Sequence, residues 1–273
     1  MFKSILSAAL LIISLTSASA QDYVPEAKWH AKQTVIDGSN SEWAKPFNFF
    51  DGSTGFMFAI ANDSSNLYLS FTCNDEMKMR KMMRAGWKFE LSSKEKHKKF
   101  SARLAIPERQ AQSSENKTAP KTDWHYQNDL GSLVRTYKLM CTNIVADGFK
   151  TKNGMLPVFD TSGIQMGIGT DSIQGIIYEI AIPFKELFDK DALKLNEELT
   201  LSVTVNAMEA SSAGGRPQEG GHGGYGEHGG HGGHGGYGGM GGGQGKYGSM
   251  TPEARADMTK SASFKQKFKL GNS

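Results

Sequence analysis

Two short segments separated by five polar residues constrain this chain more than any other feature in it. Phe56-Met57-Phe58-Ala59-Ile60-Ala61 and Leu67-Tyr68-Leu69-Ser70-Phe71-Thr72-Cys73 are apolar or alternating, and Asn62-Asp63-Ser64-Ser65-Asn66 lies between them. Runs of this length, split by turn-forming residues, predict a β-hairpin with a five-residue loop. Further strands are expected at Trp29 to Ile36, ending in an Asp37-Gly38 turn, at Trp87 to Leu91 and at Phe100 to Ile106. Others follow at Leu133 to Cys141, around Ile144 to Phe149, at Ile164 to Ile168, Ile173 to Ile182, Leu199 to Met208 and Phe264 to Leu270. Many short strands with turns between them, and no alternation with long helices, predict an all-β, antiparallel β-sandwich.

Helices are expected to be few. Asp75 can cap a helix from Glu76 to about Ala85, with Gly86 placed to end it and Met79, Met82 and Met83 on its apolar face. Pro183 can open a single turn over Phe184 to Phe188, and Thr251-Pro252 a short helix to Lys260. Trp43, in a loop ahead of Pro46, Phe47, Phe49 and Phe50, is expected to plug one end of the fold.

The amino terminus has the pattern of a secretory leader: Lys3, an apolar run from Ile5 to Leu15 and small residues Ala18-Ser19-Ala20. Cleavage after Ala20 leaves residues 21–273 as one exported domain, periplasmic or secreted, with no membrane span and no lipid-anchor cysteine. A net charge of +3 over 273 residues is too balanced to suggest a nucleic-acid partner. Export permits a disulfide between Cys73 and Cys141, and their spacing leaves a bridge and two buried thiols both open.

Two polar insertions interrupt the strands. Residues 107–131 form one, with Asp123-Trp124-His125-Tyr126 near its end. The other, residues 211–250, holds most of the chain's 32 glycines together with His222, His228, His231 and His234. So glycine-rich a stretch cannot recover its ordering entropy by burial, and it is expected to be disordered.

Ile36-Asp37-Gly38, Glu42-Trp43, Asn62-Asp63, Leu67-Tyr68-Leu69, Asp75, Ala85-Gly86-Trp87 and Tyr178-Glu179-Ile180-Ala181-Ile182-Pro183-Phe184 occur in one ordered set. In that set the chain resembles the carbohydrate-binding module family 9-like domains, within the wider DOMON-type group. The resemblance implies a jelly-roll-like sandwich, commonly non-catalytic and exported, whose members bind sugars and whose relatives bind haem.

A sugar site needs flat aromatic faces with carboxylates or amides beside them. Trp124 and Tyr126 with Asp123, Asn128 and Asp129 form the best local cluster, and Trp87 is a second candidate platform. The four histidines offer imidazoles to Zn²⁺, Ni²⁺ or Cu²⁺. Met77, Met79, Met82 and Met83 could offer thioethers to copper or an axial ligand to haem, although a packed helix face accounts for them with less. No serine elbow, His-Glu-x-x-His helix or phosphate loop occurs. The expected function is a non-enzymatic, exported binding protein for a carbohydrate or glycan, with transition-metal binding, or a haem-binding or structural interaction domain, as alternatives.

Overall fold

The computed structural model describes residues 24–93, 99–104, 130–161, 163–171, 175–187, 198–208 and 251–272. Among them the chain runs β1 (Lys28–Trp29), β2 (Phe49–Asp51), β3 (Phe56–Asn62), β4 (Asn66–Cys73), α1 (Glu76–Ala85), β5 (Trp87–Ser93) and β6 (Lys99–Leu104). It continues with α2 (Leu130–Met140), β7 (Asn143–Asp147), β8 (Gly154–Pro157), β9 (Gln165–Thr170), β10 (Ile176–Pro183), α3 (Phe184–Leu187), β11 (Leu199–Val205), α4 (Pro252–Met258) and β12 (Ala262–Phe268). The strands form two six-stranded sheets. The first has the order β1-β3-β4-β10-β9 with β2 beside β3, and the second β12-β11-β5-β6-β7-β8. Every pairing between the named strands is antiparallel except the short parallel pair of β1 and β3, and the isolated bridge of Glu26 to Lys269 is parallel too.

The hairpin forms as its pattern dictates, with a loop tighter than the five residues expected. Asp63 Oδ1 accepts from the amides of Ser65 (2.6 Å) and Asn66 (2.7 Å), so pairing resumes at Asn66. This carboxylate closure of its own turn shortens the loop. In α1 the Asp75 carboxylate accepts from the amides of Met77 and Lys78, both at 3.0 Å, and Gly86 at φ 78° ends the helix. Met79, Met82 and Met83 are buried.

Side chains from both sheets meet in one core. Trp87 of β5 packs on Phe56 of β3 and Phe71 of β4, each with ring centroids 5.1 Å apart, and on Tyr178 of β10 at 4.9 Å. Phe264 of β12 stacks on Phe58 at 4.7 Å. Phe56, Phe71 and Phe89 are fully buried, each contributing on the order of 1.5–3 kcal/mol by removal from water.

Both open edges between the sheets are stitched by a strand that changes sheet. On one side Glu26 bridges to Lys269, just past β12, before β1 pairs with Ala61 and Asn62 of β3. On the other, Val158 takes a bond from Met166 N (2.8 Å) and Phe159 bridges Gln165, so the chain leaving β8 folds directly onto β9. Asn62 fastens the carboxyl-terminal end, accepting from Gly271 N (2.7 Å) and donating to Gly271 O (3.1 Å).

Two expected strands are corrected, and the open cysteine alternative is decided. Leu133 to Met140 belongs to helix α2 rather than to a strand, with Cys141 just past its end, because Gly131, Leu133, Val134 and Tyr137 recur at helical spacing on one buried face. The first strand is only Lys28–Trp29, and the chain from His30 to Ile36 runs irregularly over the outer face of the first sheet. Cys73 and Cys141 are not bridged. Both are free thiols buried against the core, and burial pushes Cys73 up to about 11 and Cys141 up to about 12.

Candidate functional site

The outer face of the first sheet is covered. Alternation along β10 sends Tyr178 and Ile180 into the core and Glu179 and Ala181 outward. Ile36 and Trp43 pack over Ala61, Tyr68 and Ala181 there, with Phe47 and Ala59 at the margin. Glu179, fully buried under this cover, accepts from Trp43 Nε1 (2.7 Å), Gly38 N (2.9 Å) and Asp37 N (3.2 Å). Burial pushes its carboxyl up to about 7 against the pull of those donors, and the Asp37 charge adds to the rise. Gly38, at φ 85°, rests on the backbone of Ile168 and Gly169, an approach that leaves no room for a side chain at Gly38 or Gly169.

Beside this, Asp63 Oδ2 accepts from the Tyr68 hydroxyl at 2.6 Å, and His30, bonded to Thr34 at 2.7 Å, packs against the rings of Trp43 and Tyr68. Glu179, Asp63 and His30 thus hold the cover down as a lock.

Open space lies at the end of the fold where α1 and α4 meet. A cleft of about 660 Å³ is lined by Asp75, Lys78, Lys81, Asp257 and Lys260, with the Gly52-Ser53-Thr54 turn and the start of β12. That volume falls within the range of small-ligand sites. Lys81 sets the geometry: its ammonium donates to the carbonyls of Asp257 (2.7 Å) and Lys260 (2.5 Å), tying the end of α4 to α1. Burial lowers the Lys81 pKa, and Lys78 adds to that while Asp257 opposes it. Lys78 donates to the Gly52 carbonyl across the cleft. Met208 N donates to Met258 O at 2.8 Å, so residues 208 and 251, which flank the glycine- and histidine-rich segment, are both held close to α4 at this end.

A smaller groove of about 300 Å³ runs between the end of α2 and the β8–β9 connection, floored by Cys141, Val158, Met166 and Ile168. Its lining is apolar apart from Lys138 and Thr142.

Of the residues singled out from sequence, Trp87 is a core side chain, 3% exposed, and presents no face to a sugar. Asp123, Trp124, Tyr126, His222, His228, His231 and His234 lie outside the described residues. Met79, Met82 and Met83 are packed in the core, and Met79 Sδ accepts from Ile176 N at 3.2 Å. Among the described residues no three His, Cys, Asp or Glu side chains come together as a metal site, and no helix is long and apolar enough to cross a membrane. The cleft residues were missed because the sequence reading of α1 followed only its methionine face and did not single out Lys78 and Lys81. Their i, i+3 spacing, which puts two ammonium groups on one stripe, was the available signal.

Compared with known protein-family models, with curated proteins and with solved structures, the chain matches none of them. Its fold and cleft define it as an all-β protein of two antiparallel-rich sheets with few short helices and a cleft of mixed polar and apolar lining at one end.

Proposed function

We propose that this chain is an exported, non-catalytic binding protein on a jelly-roll-like β-sandwich of the carbohydrate-binding family 9-like kind, and that its ligand is a carbohydrate. One observation carries the reading. Ile36-Asp37-Gly38, Trp43 and Tyr178-Glu179, which carry the resemblance in sequence, converge on the single carboxylate of Glu179. The cleft between α1 and α4 supplies what a sugar's hydroxyls require: carboxylates, an ammonium group and a hydroxyl from Asp75, Asp257, Lys260 and Ser53 around an open volume.

The test is affinity electrophoresis of residues 21–273 through a panel of polysaccharides, with Asp257→Ala and Lys260→Ala as cleft variants. Retardation that both substitutions weaken supports the reading. Free migration of the parent protein through every polysaccharide overturns it.

The histidine-rich segment supports a second reading, transition-metal binding, because the residues flanking it are fixed beside the cleft. Calorimetry with Zn²⁺, Ni²⁺ and Cu²⁺ on the intact protein, and on a form with residues 211–250 replaced by a short Gly-Ser linker, tests it. Uptake by the intact form alone supports the reading, and equal uptake by both removes it.

A further inference from the structure

The two sheets treat their outer faces differently. Where the first sheet is roofed by residues 30–47, the second has no such cover among the described residues. Trp87, Phe89 and Leu91 of β5, with Leu199, Leu201, Val203 and Val205 of β11, point into the core. The alternate positions therefore form an outer face, and its residues are half-buried or exposed.

That face is cationic in a chain that is otherwise nearly balanced. It carries Lys88, Lys99, Arg103, Lys265 and Lys267 against the acids Glu90 and Asp147. Along one row Lys267 faces Thr200, Thr200 faces Ser92, and Ser92 faces Lys99, so two cations flank two hydroxyls over about 14 Å of sheet. In a parallel row Lys88 lies directly opposite Arg103. Like charges paired across strands destabilise a sheet, so fold stability gives no reason for this pair. Lys88 leans 3.5 Å from Glu90 and Lys267 lies 3.1 Å from Glu198, while Lys99, Arg103 and Lys265 have no acidic partner among the described residues.

The geometry points to an anionic polysaccharide, a glycan carrying carboxylate or sulfate groups, lying across the outer face of the second sheet. Cations in register with rows of Ser and Thr hydroxyls suit a chain that presents both oxyanions and sugar hydroxyls. Such a ligand relieves the Lys88–Arg103 repulsion and needs no aromatic platform. A single-stranded nucleic acid is held by stacking its bases on aromatic rings, and this face displays none among the described residues. The surface is separate from the cleft and stands whether or not the cleft holds a sugar.

The test is affinity electrophoresis of the protein from residue 21 onward in gels containing polygalacturonate, a sulfated glycan, a neutral glucan or single-stranded DNA. Arg103→Gln, Lys265→Gln and, as a charge-matched control on α2, Lys138→Gln are run beside the parent. Retardation by the polygalacturonate or sulfated gel is expected, lost at high salt and weakened about fivefold for each charge removed from the face. The Lys138→Gln protein, which loses one charge away from the face, should bind as the parent does. The face variants should melt no lower than the parent, which separates lost binding from lost folding. The proposal is overturned if neither anionic glycan retards the protein, if the face variants bind as tightly as the parent, if Lys138→Gln weakens binding as much as the face variants do, or if DNA binds more tightly than either glycan.

Discussion

The indole nitrogen of Trp43 donates to Glu179 Oε1 at 2.7 Å, joining positions 136 residues apart. The same carboxylate takes the amides of Gly38 and Asp37 on its other oxygen, so one side chain of β10 fixes the whole covering segment of the first sheet. A buried acceptor that loses its donor has no water to replace it. The lock is therefore sensitive to single atoms.

Trp43→Phe keeps a ring over Ala61 and Ala181 and removes only the donor and part of the packing. The expected loss in urea unfolding is about 1–3 kcal/mol, the usual cost of stranding a buried acceptor. A variant within about 0.5 kcal/mol of the parent, the range of an inert surface change, would show the bond to be dispensable.

Glu179 also makes stability depend on pH. With burial pushing its carboxyl up to about 7 from an ordinary value of 4.5, the folded chain keeps a proton that the unfolded chain releases. This contribution is fully present below about 4.5 and is lost as the pH rises to about 7. His30, packed on Trp43, slopes the other way: burial and then Lys28 lower its pKa, so its contribution grows as the pH rises toward 6.5. The difference between parent and Glu179→Gln stability, followed from pH 4 to 8 by denaturant titration (about half-unit steps), isolates the carboxyl. The parent should lose ground to the variant across that window, and a pH-independent difference would remove Glu179 as its source.

Lys81→Met retains the aliphatic stem and strands the carbonyls of Asp257 and Lys260. A loss of about 1–3 kcal/mol is expected, together with faster hydrogen exchange in α4 while the amides of β5 keep their protection. Unchanged exchange in α4 would mean that the helix is held by something other than this ammonium group.

Thr72 runs the opposite way. Its hydroxyl is buried on the covered face of β4 with no partner among the described residues. Thr72→Val should leave stability unchanged or raise it by up to about 1 kcal/mol, because removing an unsatisfied polar atom restores nothing to water and takes nothing from a partner. A clear loss on thermal unfolding would reveal a hydrogen bond to that hydroxyl.

Local chemistry made several elements legible from sequence alone. The hairpin of β3 and β4, the Asp75 cap, the Gly86 stop and the methionine face of α1 each rest on contacts within a few residues, which spacing encodes directly. The Asp37-Gly38 turn followed from the same kind of signal, whereas Trp43, expected to plug one end of the fold, lies over the outer face of the first sheet. Period failed at α2, where Leu133, Val134 and Tyr137 fit a short apolar run of either kind until the core chose the helix. It failed too at residues 30–36, whose apolar members were spent on covering a sheet rather than joining it.

Tertiary structure decided what lies far apart in sequence. Nothing along the chain pairs Glu179 with Trp43, places Lys88 opposite Arg103, or brings Lys81 under the end of α4. Periodicity could name the outward positions of each strand, but only the strand order, which among the described residues leaves one outer face roofed and the other without cover, determines which of them meet solvent. The physical reason is that a sequence records the alternation of side chains along a strand, whereas register and cover depend on closing loops of a hundred residues or more around a shared core.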